Sequence, residues 1–294
     1  MTGEVEAAFW RFLENLRASR TETSAAAGHR ASIKARLEND FEMTSFFRTG
    51  SFGNGTNISG HSDVDYFAVI PARNLNQDSS ITLGDIAVAL RDRFPLTNVR
   101  VSSPGISLPF GIDGANAVEV VPVQYTGKTL LKFDQYDMPN GVGGWMFSAP
   151  ASHNAYVANI DARLSNRVKP LIRFVKAWKF FRNAPIKSFY IELFVANYAD
   201  TQQSILFDID IKNALGRMLT SRLAPLPDPR FPDDGRSIPA CNTELQRLDA
   251  LSKLERAYGW ADEAVSANLS SRVRYAFDRW GLVFDSKFPA YSST

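Results

Sequence analysis

The chain has 294 residues, 45% of them apolar and 22% charged, which is ordinary globular composition and leaves room for a sizeable core. A net charge of +2, from 33 basic and 31 acidic residues, argues against a general nucleic-acid binder. The single cysteine, Cys241, excludes an intrachain disulfide and a thiolate metal cage. With no leader and no apolar run near ~18 residues, the expectation is a cytoplasmic protein without a membrane span.

Val5, Phe9, Phe12, Leu13 and Leu16 recur at helical spacing and predict a helix over 4–18 with one apolar face. A second helix is expected over about 22–40, with Ala26, Ile33 and Leu37 on one side and Thr23 or Ser24 as its cap. Met43 to Arg48 reads as a short strand entering a glycine-rich turn at Gly50. Asp63 to Ile70 reads as a second strand, stopped by Pro71. A helix over 82–93, strands over 97–103 and 106–110 and a strand over 117–123 follow. Residues 126–156 read as a long irregular loop.

From Asn159 the pattern is helical only. An amphipathic helix runs through Val168, Leu171, Ile172, Val175 and Trp178, and a second, over 188–199, has Ser188 as its N-cap. A third helix over 204–220 leads into a strap broken by Pro225, Pro227, Pro229, Pro232 and Pro239. Helices at about 243–257 and 261–280 precede a polar tail read as loose from Asp285. The shift near residue 160 divides the chain into 1–160, mixed strands and helices, and 161–294, helical.

The chemistry concentrates in Thr49-Gly50-Ser51-Phe52-Gly53-Asn54-Gly55-Thr56 and Ser62-Asp63-Val64-Asp65. A Gly- and Ser-rich turn offers backbone N–H groups to phosphates. Asp63 and Asp65, at i and i+2 on a strand, point to the same face, and two adjacent carboxylates call for a divalent cation. Mg²⁺ favours carboxylate oxygens together with substrate phosphates, so the local reading is metal-assisted phosphoryl or nucleotidyl transfer. Glu119 sits inside the apolar run Ala117-Val118-Glu119-Val120-Val121-Pro122-Val123, where an unpaired acid is costly. It is the candidate third carboxylate.

The Gly-Ser and Asp-x-Asp pattern is the signature of the polymerase-β-like nucleotidyltransferases. With Val118-Glu119-Val120-Val121-Pro122, Pro170-Leu171-Ile172-Arg173-Phe174-Val175-Lys176-Ala177-Trp178 and Lys187-Ser188-Phe189-Tyr190-Ile191-Glu192-Leu193, the chain resembles the bacterial CD-NTases, relatives of cyclic GMP–AMP synthase and oligoadenylate synthase. The resemblance covers about residues 40–200, with the N-terminal helix fitting the family's spine. It implies an α+β fold, a nucleotidyltransferase core with that spine helix packed on a C-terminal helical domain.

It further implies that Gly50 and Ser51 hold the donor triphosphate, and that Asp63, Asp65 and Glu119 bind two Mg²⁺ ions, with Mn²⁺ as a substitute. Lys176 would reach the triphosphate, Ser188 a phosphate, and Phe189 would stack on the donor base. Glu119 departs from the Asp of many relatives by one methylene. The implied activity joins ATP, GTP or pyrimidine nucleoside triphosphates into a cyclic di- or trinucleotide, a messenger read by a downstream effector in anti-phage (CBASS) signalling. Two alternatives stand beside it. One is a same-fold nucleotidyltransferase acting on RNA 3′ ends, an antibiotic or a protein; the other is a catalytically inactive nucleotide-binding scaffold.

Overall fold

The structure, a computed structural model, describes residues 3–17, 20–60, 64–111, 116–231, 233 and 235–292, with the backbone alone for 20–26 and Asn116. Contacts divide it into two compact units, Ala18–Ala155 and Met1–Arg17 joined with Tyr156–Thr294. The helices are α1 (Gly3–Leu16), α2 (Arg20–Phe41), α3 (Gly50–Asn54), α4 (Ser79–Arg93), α5 (Pro150–Arg163), α6 (Val168–Phe181), α7 (Ser188–Asp200), α8 (Phe207–Thr220), α9 (Glu244–Leu269) and α10 (Val273–Val283).

The first unit is built on a sheet of β1 (Ser45–Arg48), β2 (Val64–Val69), β3 (Arg100–Ser102), β4 (Gly105–Phe110), β5 (Asn116–Lys128), β6 (Asp134–Pro139) and β7 (Trp145–Ser148). Its path is β1-β2-β5-β4-β3, and β6 and β7 extend it beside the far half of β5. β2 and β5 run parallel; β1 on β2, β4 on β5 and β6 on β5 are antiparallel. Alternation assigns the faces. Val64, Tyr66 and Ala68 of β2 and Val118 and Val120 of β5 pack with Ile33 and Leu37 of α2 and Leu83, Ile86 and Leu90 of α4. Phe67, Val69, Val121, Val123 and Tyr136 form a smaller apolar cluster on the other face. Strands buried on both faces read as continuous apolar runs, which is why β2 and β5 were legible.

The expected loop over 126–156 is instead ordered. β5 continues through a register shift between Tyr125 and Gly127, β6 and β7 form an antiparallel pair, and α5 begins at Pro150. Short strands with one polar face and polar connections carry little periodicity, so composition alone mistook them for loop.

The helical unit includes α1, which the sequence grouped with 1–160. Phe9 explains the difference: its ring centroid lies 5.1 Å from Phe174, 5.1 Å from Trp280 and 4.9 Å from Phe288. Phe12 adds Phe284 at 4.8 Å. The tail read as loose is thus anchored by buried Phe288, and Tyr291 packs on Phe277. α9 runs unbroken through the expected gap at 258–260, and the chain turns where Ser271 takes φ +58. Asp161 starts α6, its Oδ1 accepting from the backbone N–H of Val168 and Lys169 at 2.9 and 3.0 Å. The proline-rich strap carries a small ladder of Leu226–Pro227 with Ser237–Ile238. No described helix is long and apolar enough to cross a membrane.

Because Phe9 fills the centre of this aromatic cluster, Phe9→Ala is expected to cost about 3–5 kcal/mol. A denaturant titration would read this as a lowered midpoint; an unchanged midpoint would show that α1 contributes little to the helical unit.

Candidate active site

In the sheet unit, the parallel register pairs Asp65 with Glu119 and Val64 with Val118. Directly paired residues on neighbouring strands share a face. Asp65 and Glu119 therefore stand on the face of Phe67 and Val121, opposite the face covered by α2 and α4. Both are partly buried. On the other side of Glu119, Ser107 of β4 is its register partner.

Two glycines make space for these carboxylates. A Cβ on Gly50, whose φ is +55, would lie 1.8 Å from Asp65 Oδ2. A Cβ on Gly105 would lie 2.9 Å from Glu119 Cγ and 3.0 Å from its Oε1. Gly50 is required twice, for its left-handed backbone and for the approach of Asp65. The sequence missed Gly105 and Ser107, because the register of β4 against Glu119 is not written in any local pattern.

The expected glycine-rich turn is a short helix. α3 starts at Gly50, and the Gly53 N–H is the first to bond back, to the Thr49 carbonyl at 3.0 Å. The N–H groups of Gly50, Ser51 and Phe52 thus have no acceptor within the helix. Gly55 closes it in the left-handed conformation, and Ser51 is buried. The Thr49 N–H bonds the Asp65 carbonyl at 2.9 Å, tying α3 to β2. Asp63, two residues before Asp65, lies outside the described residues.

Among the described residues, no group of three His, Cys, Asp or Glu side chains forms a metal cage. The donor chemistry present nevertheless fits a hard cation. Asp65 and Glu119 offer carboxylate oxygens on adjacent strands, and Gly50 and Gly105 keep their surroundings open.

The helical unit holds the other three expected residues, Lys176, Ser188 and Phe189. Lys176 is fully buried on α6, its Nζ 2.8 Å from Glu192 Oε1 on α7. It is enclosed like Ile172, one turn before it on α6, and is ion-paired there. Lys179, one turn on, is the partly exposed lysine: its Nζ donates to Ser188 Oγ at 2.9 Å. Burial, then the nearby charge of Lys176, lowers the Lys179 pKa to about 8. Ser188 is the first residue of α7 and does not cap it; Lys187 holds the cap position without a side-chain bond. Phe189 is 45% exposed, unlike its buried neighbours Tyr190 and Ile191. Trp178 is core, as expected. The spacing Lys-x-x-Lys was in the sequence, but only burial tells the two lysines apart.

Removing Lys176 takes the opposite charge away from the buried Glu192 carboxylate, so Lys176→Met should cost about 3–5 kcal/mol. Lys179→Met relieves a desolvated charge and should cost less than about 1 kcal/mol. Paired denaturation curves would read the difference; equal losses would contradict this assignment.

The family model described as "Second Messenger Oligonucleotide or Dinucleotide Synthetase domain" matches residues 3–160, more than half of the chain. A curated relative, the cyclic AMP-AMP-AMP synthase of Acinetobacter sp. (strain ATCC 27244 / 9458), is 22% identical over 279 residues, covering 88% of this chain and 77% of its own. Among solved structures, CdnC of E. coli MS115-1 with ATP aligns at a TM-score of 0.73 and 17% identity over 97% of this chain and 98% of its own. The cyclic AMP-GMP synthase DncV of Vibrio cholerae, in complex with the linear intermediate 5′ pppA(3′,5′)pG, aligns at 0.72 and 14% identity, covering 94% and 93%. The fold is the α+β, polymerase-β-like fold of these proteins. The chain belongs to the second messenger oligonucleotide or dinucleotide synthetase family, the bacterial CD-NTases, and is a nucleotidyltransferase of the cyclic oligonucleotide synthase group.

Proposed function

We propose that the protein joins nucleoside triphosphates into a cyclic di- or trinucleotide with release of pyrophosphate. The observation that carries this reading is the register that sets Asp65 beside Glu119 on one face of the sheet, next to the start of α3. In the proposed reaction, an acceptor ribose hydroxyl attacks the donor α-phosphorus. Asp63, Asp65 and Glu119 would hold two Mg²⁺ ions, which when bound supply charge neutralisation for the phosphates and acidify the hydroxyl.

The chain's own groups do the rest. The N–H groups opening α3 receive phosphate oxygens, with Gly50 and Ser51 as the contact residues. Glu119 or Asp65 accepts the hydroxyl proton, and the departing pyrophosphate charge is met by positioned donors rather than by covalent chemistry. In the helical unit, Lys176, ion-paired to Glu192, and Lys179 with Ser188 have the chemistry to bind phosphate. The exposed ring of Phe189 has the chemistry to stack on a base. Because the Acinetobacter relative is a cyclic AMP-AMP-AMP synthase, ATP is the first substrate to try. The product would act as a messenger to an effector, in the anti-phage role the family resemblance implies.

The test is incubation with Mg²⁺ and all four nucleoside triphosphates, followed by mass spectrometry of phosphatase-resistant products. Asp65→Asn and Glu119→Gln are each expected to lower the rate about 10²–10³-fold or more. Product that forms only when RNA is added would favour end-addition. Absence of any turnover, with variants matching wild type in cells, would favour a scaffold.

Lys179 gives a pH signature. Its ammonium is charged below pH about 8 and loses its proton as pH rises through that value, so the attraction for triphosphate weakens there. The kcat/KM profile, which reports the free enzyme, should fall on the alkaline side near pH 8. Bound polyanion stabilises the ammonium, so the kcat limb should lie higher. Lys179→Arg should flatten the kcat/KM limb; a limb that persists in this variant would assign it to another group.

A further inference from the structure

The line of residues that starts with Asp65 and Glu119 continues across the sheet. Glu119 pairs with Ser107 of β4, and Ser107 pairs with Arg100 of β3. Directly paired residues share a face, so Asp65, Glu119, Ser107 and Arg100 stand in one row on four neighbouring strands. Alternation agrees with this side: Val99, Ile106 and Leu108 belong to the core cluster on the opposite face. Strands lie about 4.8 Å apart, which sets the backbone of Arg100 roughly 10 Å beyond that of Glu119. Arg100 is exposed, and among the described residues its guanidinium meets no carboxylate. The reaction proposed above makes no use of it.

The two carboxylates are placed against glycines at opposite ends of this row. Asp65 lies against Gly50, just past β1, where a Cβ would come within 1.8 Å of its Oδ2. Glu119 lies against Gly105 of β4, where a Cβ would come within 3.0 Å of its Oε1. In-line displacement sets the attacking oxygen opposite the leaving group. With the pyrophosphate at the N–H groups that open α3, beside Asp65, the attacking hydroxyl arrives on the Glu119 side. The nucleotide carrying that hydroxyl then extends over β4 toward β3. In the first transfer this acceptor is itself a nucleoside triphosphate, so it brings its own negative charge to that end of the row.

We propose that Ser107 and Arg100 form a subsite for the acceptor nucleotide, Ser107 meeting its ribose and Arg100 its 5′-phosphates. This rests on the reading of Asp65 and Glu119 as acids of nucleotidyl transfer. A hydroxyl both donates and accepts, as a ribose requires, and a guanidinium offers five N–H donors in a planar fork that matches phosphate oxygens. The subsite reads the 5′ charge of the acceptor and not its base. A charge on an edge strand also discourages edge-to-edge pairing, but that role is indifferent to which acceptor is used.

The experiment is a competition between two acceptors for one donor. The protein is given Mg²⁺, ATP and adenosine together, or whichever triphosphate the product analysis shows to be consumed with its matching nucleoside. Attack by ATP gives a linear dinucleotide with a 5′-triphosphate, which can go on to cyclise; attack by adenosine gives the same dinucleotide with a 5′-hydroxyl. Both draw on the same donor, so the ratio of the two product sets, read by mass spectrometry at early times, reports acceptor choice alone. Wild type should favour the triphosphate acceptor. Arg100→Ala should shift the ratio about tenfold toward adenosine, the loss of one hydrogen-bonded contact to a charged group, with an unchanged melting midpoint. Arg100→Lys should restore part of the preference. Ser107→Ala should lower both products together and leave the ratio as it is.

An unchanged ratio in Arg100→Ala would overturn the proposal, whether its total product is normal or reduced, because a donor-side or structural role lowers both products alike. A wild type with no preference for the triphosphate acceptor would overturn it as well. Wild-type rates in Ser107→Ala would remove the ribose contact. A wild type that forms no dinucleotide from any triphosphate would instead take away the transferase reading, and this subsite with it.

Discussion

The parallel pairing of β2 with β5 is the constraint on which the acid site depends. A one-residue slip of β5 against β2 would exchange its faces, carrying Glu119 into the cluster of Tyr66, Ile86 and Leu90 and turning Val118 and Val120 the other way. Apolar side chains on both faces oppose that slip: Val118 and Val120 are buried on one, Val121 and Val123 on the other. The hydrophobic pattern thus sets where two carboxylates meet. Neighbouring acids repel, and packing of the valines around them holds the arrangement that chemistry alone would disfavour.

The two units solve the burial of charge differently. In the sheet unit, Asp65 and Glu119 are only partly buried, and glycines at 50 and 105 remove the atoms that would crowd them. In the helical unit, Lys176 is wholly enclosed and is tolerated because Glu192 meets it. Lys179, desolvated and held by the neutral Ser188 hydroxyl and the Phe180 ring rather than by a carboxylate among the described residues, keeps a weakened hold on its proton. Groups shifted in this way by burial and a specific neighbour are the ones poised to respond to a charged ligand.

Much of the fold was legible in the sequence because its signals were local. Phe9, Phe12 and Leu16 declare α1, and the apolar runs around Asp65 and Glu119 declare β2 and β5. What failed depended on distant partners. Lys176 and Lys179 sit three residues apart on one helix, and only the opposite helix decides which is sealed and which is available. Ser188 had the composition of a cap, but Lys179 takes its hydroxyl instead. The strands over 134–148 lack apolar alternation, and their order comes from β5 and from the Asn140–Gly144 turn, where Asn140 Oδ1 accepts from Val142 and Gly144 N–H. Phe288 was lost in a polar tail because its neighbours in space are 279 residues away in the chain, at Phe9.

The grouping of α1 with the later helices has a consequence for biosynthesis. The sheet unit is one continuous stretch, whereas the helical unit is interrupted by it. Phe9 leaves the ribosome long before Trp280 and Phe288 exist. At about 5–20 residues per second, the roughly 270 intervening residues impose a wait of about 13–54 s. During that interval the nascent N-terminal helix has its greasy stripe uncovered while the sheet can already close, so shielding of that stripe is a demand made by the order of the chain rather than by the finished molecule.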